Sequence, residues 1–176
     1  NQNLHKSRKT ETLSQNTQNK LFKKLNTVLR QAEKEKIIAK NPMQFIEDIP
    51  KTKEGTREYL TIDEVKLLIQ TDCKNQTVKN AFLFCCLTGL RFSDVSRITW
   101  ENLHRNNSGD YELRFTMKKN GKEIIIQLSN EAMKWLPDGN NADPTERIFK
   151  LSKNEIVNPI ISEWVKDAGI SKKITF

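Results

Sequence analysis

Leu87-Thr88-Gly89-Leu90-Arg91-Phe92-Ser93-Asp94-Val95 sets an arginine two residues past the glycine that closes a very apolar run. That run, Ala81-Phe82-Leu83-Phe84-Cys85-Cys86-Leu87, belongs to a helix predicted from about Gln76 to Thr88. The helix is apolar on nearly two faces and should lie deep in a core. Gly89 suits the left-handed position just past a helix end. Ser93 or its neighbours can start the next helix, which places Arg91 at a tight helix-to-helix corner. Such a corner fixes the arginine stem and leaves the guanidinium free, a fork suited to bidentate phosphate contact. The same arginine could instead pair with Asp94 and stabilise the corner.

Upstream of this stretch, Thr61-Ile62-Asp63-Glu64 reads as a capping box opening a helix through about Gln70, which should bury Val65, Leu67 and Leu68. Residues 48–58, DIPKTKEGTRE, lack apolar periodicity and combine Pro50 and Gly55 with several charges, the composition of a linker. Before it, Leu21, Phe22, Leu25, Val28, Leu29 and Ala32 recur at helical spacing with lysines on the other face, predicting an amphipathic helix over roughly 15–37. Asn41-Pro42 then breaks the helix, and Met43, Phe45 and Ile46 are expected to pack back onto it.

Downstream, Tyr111, Leu113, Phe115 and Met117 alternate with polar residues, and an apolar run follows at Ile124 to Leu128. Asn120-Gly121 between them predicts a two-residue type I′ hairpin turn flanked by Lys119 and Lys122. Residues 130–136 read as a short helix. Asn158-Pro159 is expected to open another, burying Ile160, Ile161, Trp164 and Val165 and stopping at Gly169.

The formal net charge is +8, and it is uneven: residues 1–55 hold 12 Lys/Arg against 6 Asp/Glu, leaving 18 against 16 for the rest. A polyanion would meet the N-terminal part first, although a lysine-rich solvated face would look the same. Cys73, Cys85 and Cys86 are too few for a disulfide scaffold, and the last two sit where a thiol acts as a small buried hydrophobe. His5 and His104 lie near no cysteine pair, so no metal site is expected. No stretch reaches the ~20 apolar residues that span a bilayer, and no signal-peptide pattern opens the chain, so a cytoplasmic protein is expected.

The ordered set Thr88-Gly89-Leu90-Arg91-Phe92-Ser93-Asp94, Ile98-Thr99-Trp100-Glu101-Asn102-Leu103, the lysine hairpin, and Ala168-Gly169-Ile170 before Ile174-Thr175-Phe176 resembles the tyrosine recombinases of the phage-integrase family. Order and spacing agree over nearly the whole chain, and the basic helix ending in Lys40-Asn41-Pro42 looks like the end of that family's core-binding domain. The resemblance implies a mostly α fold with a small antiparallel β-sheet. Residues 1–47 would be the C-terminal part of a helical, SAM-like core-binding domain, 48–58 a linker, and 59–176 the N-terminal part of the integrase catalytic domain.

It also implies a chemistry without metal or other cofactor. A tyrosine hydroxyl attacks a scissile phosphate of double-stranded DNA, giving a 3′-phosphotyrosyl link and a free 5′ hydroxyl, while arginines, a lysine and other donors hold and protonate the reacting group. Arg91 matches the family's first arginine and Asp94 its acidic, supporting position. Counting back from the strand Ile124-Ile125-Ile126-Gln127-Leu128 puts Lys119 at the catalytic lysine, with Lys118 next and Lys122 third; all three could instead be turn lysines touching DNA backbone or solvent. Gln127 stands where the family often has proline. Lys20, Lys23 and Lys24 are the expected DNA contacts of the basic helix, with Lys118 and Lys122 on the hairpin.

The family's His-x-x-Arg box would begin directly after Phe176, with the nucleophilic tyrosine beyond it. Tyr59 and Tyr111 match neither position, and Arg105, Arg114 and Arg147 match no catalytic one. The chain is therefore expected to be a fragment that binds DNA without recombining it, from a mobile-element integrase of a phage or conjugative transposon. The full-length protein would oligomerise on DNA, as a tetramer in recombination, and the fragment could be monomeric. A non-enzymatic DNA-binding module or regulator is the alternative; a purely structural protein would leave Arg91 and the hairpin lysines without a purpose.

Overall fold

A computed structural model of the chain describes residues 13–46, 58–119 and 121–176. The chain divides into two units, Asn1–Arg57 and Glu58–Phe176. In the first, helix α1 (Gln15–Lys34) starts where the Ser14 hydroxyl accepts the Thr17 N–H at 3.3 Å. It ends three residues short of the predicted stop. Lys36 turns left-handed (φ 59°) and the Ile37 N–H donates back to the Ala32 carbonyl, a closure that ends a helix by satisfying its last carbonyls.

Asn41 then caps a short 3-10 turn (Pro42–Phe45) through the Met43 N–H and donates to Asn26 on α1 at 2.8 Å. Met43 is buried, but Phe45 is 80% exposed and Ile46 is exposed too. A 3-10 turn advances about 120° per residue, so Met43 and Phe45 cannot face the same way. The expectation that all three pack onto the helix holds for Met43 alone. Of the expected linker, residues 48–57 lie outside the described residues.

The second unit is mostly helical, with one antiparallel sheet of three strands in the order β1 (Leu103–Arg105), β2 (Tyr111–Thr116), β3 (Glu123–Gln127). Helix α2 (Ile62–Gln70) begins at the expected capping box: the Thr61 hydroxyl accepts the Glu64 N–H, and the Glu64 carboxylate accepts the Thr61 N–H at 2.7 Å. Leu68 is fully buried and Val65 half-buried, whereas Leu67 is exposed, because neighbouring helical residues point about 100° apart. The same geometry separates Cys85, which is half-buried, from Cys86, which reaches the surface.

Helix α3 (Gln76–Thr88) is the central element. Val78, Phe82 and Leu83 pack with Leu68 and with Val157, Ile161 and Trp164, while Ala81 and Phe84 pack with Val95, Ile98, Leu113 and Phe149. One helix thus serves two clusters, as its doubly apolar surface requires. Lys79 lies buried on it, donating to the carbonyls of Ile69 and Thr71 at 2.9 and 2.7 Å beside the Trp164 ring. Its charge caps the carboxyl end of α2, where a cation is favourable.

Two expectations shift. Helix α6 (Asn154–Asp167) starts a turn before Asn158-Pro159 and carries Pro159 inside. Pro159 falls in the second turn and forfeits the bond an N–H there would make to the Glu155 carbonyl, a cost that burying Val157 on the added turn offsets.

The hairpin also differs. Thr116 faces Glu123, the Met117 N–H bonds the Lys122 carbonyl, and the Gly121 N–H returns to the Met117 carbonyl. Pairing therefore ends at Met117 and Lys122 rather than at Lys119 and Lys122, with Gly121 left-handed at φ 65°; Asn120 lies outside the described residues. This pairing is displaced by two positions from the predicted one, which keeps every side chain on its own face, so the alternation of polar and apolar residues could not choose between them. Short helices α4 (Phe92–Val95) and α5 (Asn130–Met133) complete the unit.

Candidate functional site

Gly89 turns left-handed at φ 71°, and its N–H closes α3 on the Cys85 carbonyl at 2.9 Å. Two residues later Arg91 is the N-cap of α4, its carbonyl accepting the N–H groups of Asp94 and Val95, both at 2.9 Å. The backbone of the arginine is thus held from both sides while its side chain is exposed.

Asp94 does not pair with that guanidinium. Its carboxylate is buried, and Oδ1 accepts the backbone N–H of Lys118 at 3.1 Å. Arg91 Nη1 points instead at the Met117 sulfur, 3.8 Å away. Two contacts therefore fasten the hairpin loop to the arginine corner, across 24 and 26 residues of sequence. The corner-stabilising Arg91–Asp94 pair is replaced by a tie between two distant elements.

That tie brings Arg91, Asp94 and Lys118 together, with Lys119 next in the loop and Lys122 across the base of the hairpin from Met117. Lys118, Lys119 and Lys122 are all exposed. The one carboxylate built into the corner is engaged by a backbone donor, so Arg91 and the loop lysines leave a cationic face suited to an anion such as a phosphate. Lys20, Lys23 and Lys24 are exposed on α1, in the other unit.

The groups outside this cluster have other occupations. The Tyr59 ring lies 5.9 Å from Lys172 Nζ, and the Tyr111 ring lies under the Arg105 guanidinium at 5.0 Å. Arg114 is engaged by the buried Glu112, with Nε 2.6 Å and Nη2 2.5 Å from Oε1. Desolvation pushes the Cys86 thiol up to about 11 despite its partial exposure, and Cys85 higher still, so neither is a thiolate nucleophile at neutral pH. Among the described residues no group of three or more His, Cys, Asp or Glu could hold a metal ion, and no helix is long and apolar enough to cross a membrane.

The sequence reading did not foresee Met117 as the neighbour of Arg91, or Lys118 as the partner of Asp94. Neither has a local signal, since only the sheet register brings them to the corner. Glu112 and Arg114 could have been found: residues two apart on a strand share a face, and an acid and an arginine at that spacing can pair.

The Phage integrase family model matches residues 58–176, and the Phage integrase SAM-like domain model matches residues 2–53. The chain belongs to the phage integrase family. No curated protein matches this integrase-family chain in sequence. Its fold is shared with solved integrases. A lambda integrase (75–356) dimer bound to a COC′ core site aligns with a TM-score of 0.68 at 18% identity, over 90% of this chain and 60% of that one. A lambda integrase tetramer bound to a Holliday junction gives 0.67 at 20% identity, over 90% and 48%. The Tn1549 transposon integrase (aa 82–397), in complex with circular intermediate DNA, gives 0.64 at 20%, over 93% and 61%. The phage-integrase chain thus spans about half to three fifths of the length of these structures.

Proposed function

We propose that this chain is the part of a site-specific DNA recombinase that grips double-stranded DNA around one reacting phosphate. The observation that carries the reading is the Asp94–Lys118 hydrogen bond, which joins the arginine corner to the lysine loop. Arg91 holds the phosphate and stabilises the charge that develops on it. Lys119 donates the proton that the leaving 5′ oxygen needs, with Lys118 as the alternative one residue away. Asp94 positions the loop that carries both.

Residues 1–47 belong to the core-binding domain and 59–176 to the catalytic domain, joined by 48–58. The nucleophilic tyrosine and the second arginine belong to residues outside these 176, so this chain binds DNA and forms no covalent intermediate. DNA as partner agrees with the complexes in which the lambda and Tn1549 integrases were solved, and the latter favours a mobile element as the source. Assembly on DNA as a dimer or tetramer and action in the cytoplasm follow from the same reading. A non-enzymatic DNA-binding module would use the same cations merely to grip.

Binding of the chain to duplex DNA across a range of salt tests the partner. The logarithm of the binding constant should fall with the logarithm of salt at a slope near −0.9 for each phosphate neutralised. Replacing Lys20, Lys23 and Lys24 by alanine should flatten that slope; an unchanged slope would assign the lysine face of α1 to solvent alone.

A further inference from the structure

We infer that Arg97 is a second phosphate-holding residue of this site, taking a DNA backbone phosphate next to the one that faces Arg91. The inference rests on the DNA-binding reading above and adds a residue that no motif singled out. Arg97 follows the C-cap of α4, Ser96, its N–H donating to the Asp94 carbonyl at 2.9 Å. Its exposed side chain lines a recess of about 230 Å³ with Asp94, Thr99, Glu101, Asn102 and Thr116. The recess shares Asp94 with the arginine corner and Thr116 with the hairpin, so it opens beside the site already described.

An arginine beside two carboxylates ordinarily forms an ion pair with one of them. Here neither does so: Asp94 Oδ1 accepts the Lys118 N–H, and Glu101 Oε1 lies 3.1 Å from the Thr99 hydroxyl. Among the described residues no ion pair engages Arg97, in contrast to Arg114, which Glu112 holds fast. Its guanidinium keeps its donors for an outside acceptor, and on a nucleic acid the most abundant acceptors are phosphate oxygens. A water's share of liquid volume is about 30 Å³, so the recess has room for a phosphate oxygen at the guanidinium together with water.

A phosphate contact of this kind carries no sequence information and shows itself in the salt dependence of binding. The test compares the 176-residue chain with Arg97→Ala, Arg97→Gln and Arg97→Lys on a duplex of arbitrary sequence, from about 50 to 200 mM salt. The alanine and glutamine variants should lose about 0.9 from the slope, so the salt rise should weaken them about 3.5-fold less than the parent. Arg97→Lys should keep the slope. Lys74→Ala, which removes the same charge from a lysine paired with Glu163, should keep it as well. An unchanged slope in both Arg97→Ala and Arg97→Gln, or an equal loss in Lys74→Ala, overturns the role of Arg97 while leaving the DNA-binding reading intact. A parent chain without salt-dependent binding overturns both.

Discussion

Asp94 Oδ1, on a buried carboxylate, accepts the backbone N–H of Lys118, and the choice of partner decides what the residue does. Paired with Arg91 it would blunt the guanidinium's charge; bonded to the Lys118 N–H it leaves Arg91 out of an ion pair with it and ties the hairpin to the corner. Asp94→Ala should cost about 1.5–3 kcal/mol, the usual worth of a hydrogen bond to a charged group. It should also speed amide exchange at Lys118. Asp94→Asn keeps an acceptor and should preserve most of the protection, and equal exchange at Lys118 in the parent and the alanine variant would remove Asp94 from the positioning role. At this scale the sequence makes Arg91 and Asp94 legible, because one corner contains both. It does not show Met117 or Lys118 as their neighbours, because those contacts exist only once the sheet register is fixed.

Register is also where the elements depart from expectation. The strands β2 and β3 were legible from alternation, and α3 from its doubly apolar surface. The loop between the strands was not, since a displacement by two positions leaves every side chain on its own face. Pro159 misled for a related reason: proline at a helix start is the common case, but burial of Val157 draws α6 one turn further back. The capping box was legible in full, and the structure adds a partner to it. Lys172 Nζ lies 2.7 Å from Glu64 Oε2 and 3.0 Å from the Tyr59 carbonyl. The Lys172 hydrogen bond, then that of the Thr61 backbone, holds the Glu64 carboxyl below its ordinary value of 4.5. A carboxyl lowered in the folded state contributes stability above its ordinary value and loses it as pH falls through the lower folded one. Denaturant midpoints of the chain should therefore drop on acidification below 4.5, and Lys172→Met should remove part of that drop. Parallel pH profiles in the two proteins would exclude the pair as a source of the acid sensitivity.

Over the whole molecule, the proposed function divides grip from chemistry along the chain. The excess charge is concentrated before residue 56, whereas the arginine corner and the lysine loop belong to the second unit. Affinity should therefore survive changes that abolish reaction. With a suicide DNA substrate the 176-residue chain should form no covalent adduct if, as proposed, neither of its two tyrosines, Tyr59 and Tyr111, is the nucleophile. Extending the chain with its native downstream residues should produce the adduct if they carry the His-x-x-Arg box and the tyrosine. In the extended protein Arg91→Ala should abolish cleavage with little loss of binding. One phosphate contact is a small share of affinity, but a preorganised donor is worth ~2.7–4 kcal/mol in the transition state. Lys119→Ala should slow cleavage and recover on a substrate whose leaving 5′ oxygen is replaced by sulfur, which departs without the proton. Recovery by Lys118→Ala in its place would move the proton donor one residue back along the loop, to the residue whose own N–H is bonded to Asp94. An adduct on Tyr59 or Tyr111 in the short chain would overturn the assignment of the nucleophile to residues outside it.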